Sequence, residues 1–206
     1  EVVAQVSVAA GDECAHSQPP PKCRICLDTL DLNLPDSKPA MPFAYYARLS
    51  AARRRIYDRS DAIERIDLPD AAALRPLVAP LEAALQAENR AEAERLCATI
   101  AAGIVSQLKA PTLRVAVLAV RPSSDWGELH GLYLPEDEGE TAIIKLWMRT
   151  AKNQRVVAFK SFLRTLLHEL CHHLDYEHYK FEETFHTEGF YKRESTLANA
   201  LIALMA

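Results

Sequence analysis

Two of the seven histidines in this 206-residue chain stand in a spacing that chemistry uses. They occur in His168-Glu169-Leu170-Cys171-His172, the pattern H-E-x-x-H. On an α-helix each residue turns about 100°, so positions i and i+4 lie nearly one above the other. The two imidazoles then project together and can close on one metal ion. Glu169 projects at a neighbouring angle, from which it can address a water bound to that metal. This is the chemistry of zinc-assisted hydrolysis. The ion acidifies the water and polarises a carbonyl, while Glu169 takes the proton as general base and passes it to the leaving amine. Asp175 is placed either to orient a ligand imidazole by accepting a hydrogen bond or to sit on the helix surface. Tyr191 and Tyr176 are both candidates for stabilising the oxyanion, and the sequence does not choose between them.

A catalytic zinc takes three protein ligands and keeps one position open. His178 would extend the motif to H-E-x-x-H-x-x-D-x-x-H, close to the metzincin pattern. Asp175 stands where that pattern has the glycine that reverses the chain. No Gly or Pro occurs over residues 156–188 to force a turn. On a continuing helix His178 lies about 80° around the axis from His168. His186 follows His172 after a gap of thirteen residues, enough for the helix to end and the chain to return. Thr187 can cap the next helix and so hold His186 at its entrance. Glu188 and Glu194 are the carboxylate alternatives, as in a thermolysin-like site. The favoured set is zinc on His168, His172 and His186.

These stretches resemble the SprT-like metallopeptidases and their minimal gluzincin relatives. Those proteins share H-E-x-x-H followed, after a variable loop, by H-G-x-x-F. Here His168-Glu169-Leu-Cys-His172 and His186-Thr-Glu-Gly-Phe190 stand at those places, with Thr187 where the relatives have glycine. The resemblance spans residues 113–193. It implies zinc on His168, His172 and His186, Glu169 as catalytic base, and a small sheet beside the active-site helix. Some SprT-like proteins act on DNA-bound proteins, so a DNA-associated role is a further implication.

The motif needs elements to position it. Leu163, Leu167, Leu170 and Leu174 follow the 3-4-3 rhythm of an apolar stripe, which predicts a helix over 156–176 with one face in the core and the other presenting ligands. Three β-rich runs precede it, at 113–120, 128–134 and 141–148, with an acidic turn at 136–140. An extended substrate peptide could add to the strand edge at 143–146. His130 is either an additional metal-site residue or an ordinary polar strand position. Upstream, apolar spacing predicts helices over 43–68 and 90–109, with an Ala- and Leu-rich stretch between them broken by Pro76 and Pro80. The expected fold is α+β and mainly helical, with a three-stranded sheet beside the H-E-x-x-H helix. Its metallopeptidase domain spans 43–206, with a helical part 43–110 and a zincin-like core 111–206.

Residues 1–42 read differently. Prolines at 19–21, 35, 39 and 42 break any long period, giving an extended arm. Cys23-x-x-Cys26 has the bite of a zinc knuckle, which Cys14 and His16 could complete as a second, structural zinc site. Cys23-Arg-Ile-Cys26-Leu-Asp looks like the opening of a RING finger, although the further ligand pairs are missing. The other reading is a leader with free thiols.

A net charge of −4 offers no general attraction to nucleic acid or anionic lipid. The basic triplet Arg53-Arg54-Arg55 is balanced by Asp58, Asp61 and Glu64, as on a solvated helix face. No run reaches the eighteen apolar residues of a membrane span. Five Cys without a regular framework suit reduced thiols in the cytoplasm, and a start at Glu1 leaves a removed targeting segment open. The expected partner is a protein or peptide substrate, and the sequence is silent on oligomeric state. The competing function is a non-catalytic zinc-binding interaction module, against which the intact Glu169 argues.

Overall fold

The computed structural model describes residues 43–202 except Asp125, Trp126 and Glu138. The arm with Cys14, His16, Cys23 and Cys26 lies outside the described residues. The described chain is α+β and mainly helical. Helices α1 (Ala51–Asp61), α2 (Val78–Gln86) and α3 (Arg90–Gln107) come first. Strands β1 (Arg114–Val120), β2 (Ser123–Ser124), β3 (Gly127–Glu128), β4 (Gly131–Leu134) and β5 (Ile143–Arg149) follow, and α4 (Phe159–Glu177) and α5 (Glu188–Ile202) close the chain.

Local chemistry explains the departures from the expected boundaries. The helix expected over 43–68 is a 3-10 turn at Ala44–Arg48 followed by the shorter α1. Ser50 separates them, because its side chain accepts from the Arg53 N–H and caps α1. Pro80 sits in the first turn of α2, where its missing N–H has no helical partner to lose. The strand expected over 128–134 is two strands. Gly127–Glu128 pairs with β2 in a small antiparallel ribbon, and Gly131–Leu134 joins the main sheet.

That main sheet has the order β1–β5–β4, with β1 parallel and β4 antiparallel to β5. The edge expected at 143–146 is therefore the centre of the sheet, paired on both sides. The two edges are β1 and β4. Side chains of α3 cover the first: Glu94 accepts from the Val117 N–H at 2.8 Å, and Arg90 donates to the Val117 carbonyl at 3.5 Å. The edge that lies beside α4 is β4.

The stripe Leu163, Leu167, Leu170 and Leu174 is completely buried. So is nearly everything else on α4, with only Arg164 half-exposed between Phe162 and Asp175. The expectation of a ligand face turned away from the core thus gives way to a central helix. It is packed against β4 and β5 on one flank and α5 on the other, with α2 and α3 also touching it. Truncating one of those leucines to Ala should cost about 2–5 kcal/mol. No helix among the described residues is long and apolar enough to cross a membrane.

Candidate metal centre

The spacing of α4 puts His168 and His172 one turn apart, with ring centroids 4.9 Å from each other. After α4 the chain makes an irregular return and re-enters a helix at Glu188. Thr187 is the cap: its Oγ1 accepts from the Phe190 N–H at 2.9 Å. His186, just before that cap, is swung back over α4, 4.7 Å from the His168 ring and 5.0 Å from the His172 ring. One ligand-capable atom from each of the three buried residues lies within 4.8 Å of the other two, so the group could hold a metal ion.

The outward nitrogens of two of these rings are already engaged. His168 Nδ1 lies 3.0 Å from Glu194 Oε2, and a carboxylate can only accept. His172 Nδ1 lies 2.9 Å from Thr184 Oγ1, whose own hydrogen goes to Asp175 Oδ2 at 2.7 Å. Both rings thus donate from Nδ1, which in the neutral tautomer makes Nε2 the nitrogen that carries the lone pair. His172 Nε2 faces His186 Nε2 at 3.1 Å. Two imidazole nitrogens on one tetrahedral zinc, each about 2.0–2.1 Å from it, stand about 3.3 Å apart. The residues present fit the ion.

Electrostatics point the same way. Burial pushes His172 and His186 well below the ordinary imidazole range, and the neighbouring His168 adds to this, so both are neutral at pH 7. Burial also lowers His168, but its hydrogen bond to Glu194 and the charges of Glu169 and Glu194 outweigh that and raise it. Buried Glu169 is pushed up to about 7, despite His168 and a backbone hydrogen bond donated by Tyr133. A carboxylate near neutrality suits a group that must take up and release a proton.

Gly131 explains how β4 comes so near Glu169. A Cβ there would collide with the Glu169 carboxylate and with Thr165 Cγ2, so the edge strand approaches α4 only without a side chain.

The other candidates fall elsewhere. His178 is the C-cap of α4, exposed and edge-on to Tyr179. Glu194 is not among the converging ligand atoms but beneath His168, where Arg164 also binds it at 2.7 Å. Glu188 pairs with Lys192 at 2.8 Å. Asp175 does not take a hydrogen bond from a ligand ring directly; it reaches His172 through Thr184, because Arg193 holds its other oxygen at 2.7 Å. His130 sits between β3 and β4, outside the ligand group. Of the two tyrosines, Tyr191 lies 5.8 Å from the His186 ring and 6.3 Å from the His168 ring, whereas Tyr176 stacks on Tyr133. The basic triplet is partly consumed internally. Arg53 binds Glu183, and Arg54 donates to the Tyr46 and Ala47 carbonyls and lies over the Tyr46 ring.

Thr184, Arg164 and Arg193 escaped the reading of the sequence. Only Arg193 left a signal, in α5, where it and Glu194 interrupt an inward stripe of Phe190, Leu197 and Leu201.

No curated protein and no solved structure matches the chain. A family does: the WLM domain matches residues 78–206, beginning at the first residue of α2 and taking in α3, the sheet and the whole candidate centre. With more than half of its length matched, including all three converging histidines, the chain belongs to the WLM family, a domain related to the SprT-like zinc metallopeptidases.

Proposed function

We propose that the chain is a zinc-dependent metallopeptidase in which His168, His172 and His186 hold the metal and Glu169 is the general base. The observation that carries this reading is the convergence of three buried imidazoles beside a buried carboxylate pushed up to about 7. A purely structural site has no use for such a carboxylate. Zinc held there supplies a Lewis acid for a carbonyl and acidifies water. Glu169 takes the proton of the attacking water and carries it to the leaving amine. Glu194 and Thr184 fix the tautomers of His168 and His172, so that each presents Nε2. An extended peptide is placed along β4, the sheet edge whose Tyr133 N–H already touches Glu169. Tyr191 is the tyrosine near enough to the histidines to address the oxyanion.

The test pairs metal analysis with hydrolysis of an unfolded protein. Full-length protein should hold at least one zinc per chain, with a second only if Cys14, His16, Cys23 and Cys26 form their own site. A chain starting at Phe43 separates the two cases. Glu169→Gln should keep zinc and fold while losing about 10²–10⁴-fold in rate, since an amide cannot serve as base. Undiminished cleavage by that variant rejects the mechanism. Zinc binding without cleavage of any substrate by the wild type makes the chain an interaction module.

A further inference from the structure

His168 and His172 are fixed by α4, but His186 sits in a return with little regular hydrogen bonding of its own. Over residues 178–187 the backbone-to-backbone hydrogen bonds are local turn contacts, such as Phe181 N–H to the Asp175 carbonyl and Thr187 N–H to the Phe185 carbonyl. Something else must hold that loop. The structure places residues 43–64 against it, a segment that precedes the family-matched region.

The contacts are specific. Tyr45 donates its hydroxyl to the backbone carbonyl of His186 itself, at 2.9 Å. Asp61, at the end of α1, accepts the Gly189 N–H at 2.9 Å, three residues past His186. A Cβ on Gly189 would collide with the Asp61 backbone, so this docking needs the glycine. On the outer side Arg53 binds Glu183 and lies over the Phe185 ring, and Tyr57 packs against Phe185 with centroids 5.9 Å apart. Beneath the loop, fully buried Arg193 binds the Ser60 carbonyl at 2.6 Å and the Ile63 carbonyl at 2.7 Å. Its other nitrogen binds Asp175, which holds Thr184 on His172. One arginine thus joins the end of α1 to the partner of a ligand ring.

We propose that residues 43–64 brace the third-ligand loop of this chain, with Tyr45, Asp61 and Arg193 as positioning residues for His186 and His172. The proposal rests on the reading of the three histidines as a metal site. It also accounts for the glycine at position 189 rather than 187. In this chain the close approach is made by α1 at the start of α5, and position 187 is free to carry the capping threonine.

The test measures zinc affinity by chelator competition in the full chain, beside the melting temperature of the metal-free protein. Tyr45→Phe removes one hydroxyl and Asp61→Ala one acceptor, whereas Asp61→Asn keeps an acceptor oxygen. Tyr45→Phe and Asp61→Ala should each weaken zinc binding about fivefold, the worth of one hydrogen bond. Asp61→Asn should restore affinity, and metal-free melting should stay near that of the wild type. Unchanged affinity in both variants overturns the brace, as does a loss of affinity in Tyr45→Phe and Asp61→Ala that only follows a matching loss of their metal-free stability. A wild-type chain that takes up no zinc removes the metal reading and the brace with it. A wild type that binds zinc while the variants bind it equally removes the brace alone.

Discussion

The two flanks of α4 are built on opposite principles. Toward the sheet the contacts around Glu169 are apolar or made by backbone: Gly131 lies against Thr165 and Glu169, Tyr133 offers its N–H to Glu169, and the adjoining strand β5 contributes buried Ile144 and Leu146. Toward α5 charged groups are set among the apolar ones, most of them buried. Glu194 sits under His168 with Arg164 behind it, and Arg193, Asp175 and Thr184 stand in line behind His172. Under the proposed function the first flank delivers the base and the second holds the metal-ligand rings. A low-dielectric flank raises the pKa of the Glu169 carboxylate, and a flank of fixed dipoles pins the imidazoles of His168 and His172. One helix serves both because residues 168 and 172 share a face that 169 does not.

Damage on the charged flank should therefore cost stability and metal affinity together. The largest effect is expected of Arg193→Met. Arg193 and Asp175 are both fully buried, and removing one partner leaves the other's charge without compensation. Breaking such a pair costs about 3–5 kcal/mol, readable in urea or thermal unfolding. Zinc affinity should fall with it, as the Asp175 carboxylate that fixes Thr184 loses its own anchor. A loss below about 1 kcal/mol, the range of an exposed ion pair, would mean that the pair is effectively solvated.

Glu194→Gln is milder and more specific. The amide oxygen can still accept from His168 Nδ1, and half-exposed Arg164 can turn to water. What is lost is the negative charge behind the ring. Zinc affinity should drop about 10- to 100-fold, the usual range for such outer partners, with little change in the melting of the metal-free protein. Equal affinity in variant and wild type would blur the line between the flanks, since the charge under His168 would then be idle.

This division also governs what could be read in the sequence. The H-E-x-x-H spacing and the stripe Leu163, Leu167, Leu170 and Leu174 are local facts, and helical periodicity alone carries them. The Thr187 cap is local as well. The charged flank joins residues far apart: Arg193 reaches Asp175 eighteen positions back and Ser60 well over a hundred back. In the sequence nothing links Arg193 to Asp175 or Ser60, and only the place of Arg193 and Glu194 on the inward stripe of α5 marks those two as buried. Strand order was hidden for a similar reason. Residues 143–149 have the alternation of an edge or a central strand alike, and the covering of β1 by Glu94 and Arg90 is a tertiary matter. The break between Glu128 and Gly131 depends on which sheet each half joins, which periodicity does not encode.

The smallest effect, and the sharpest control, belongs to the sheet flank. The Tyr133 hydroxyl lies 3.1 Å from His173 Nδ1, and His173 Nε2 lies 2.9 Å from the Pro111 carbonyl. A carbonyl only accepts, so His173 donates from Nε2 and Tyr133 donates to Nδ1. His173 stands next in sequence to His172, yet its ring faces the sheet and takes no part in the converging group. Tyr133→Phe deletes that hydrogen bond and leaves the rest of the ring in place. Stability should fall by about 1 kcal/mol, the net worth of a hydrogen bond. Zinc affinity should stay within roughly twofold, because no outer partner of a ligand ring is touched. A tenfold loss of affinity would show that the sheet flank also holds the metal site, and the two flanks would then act as one.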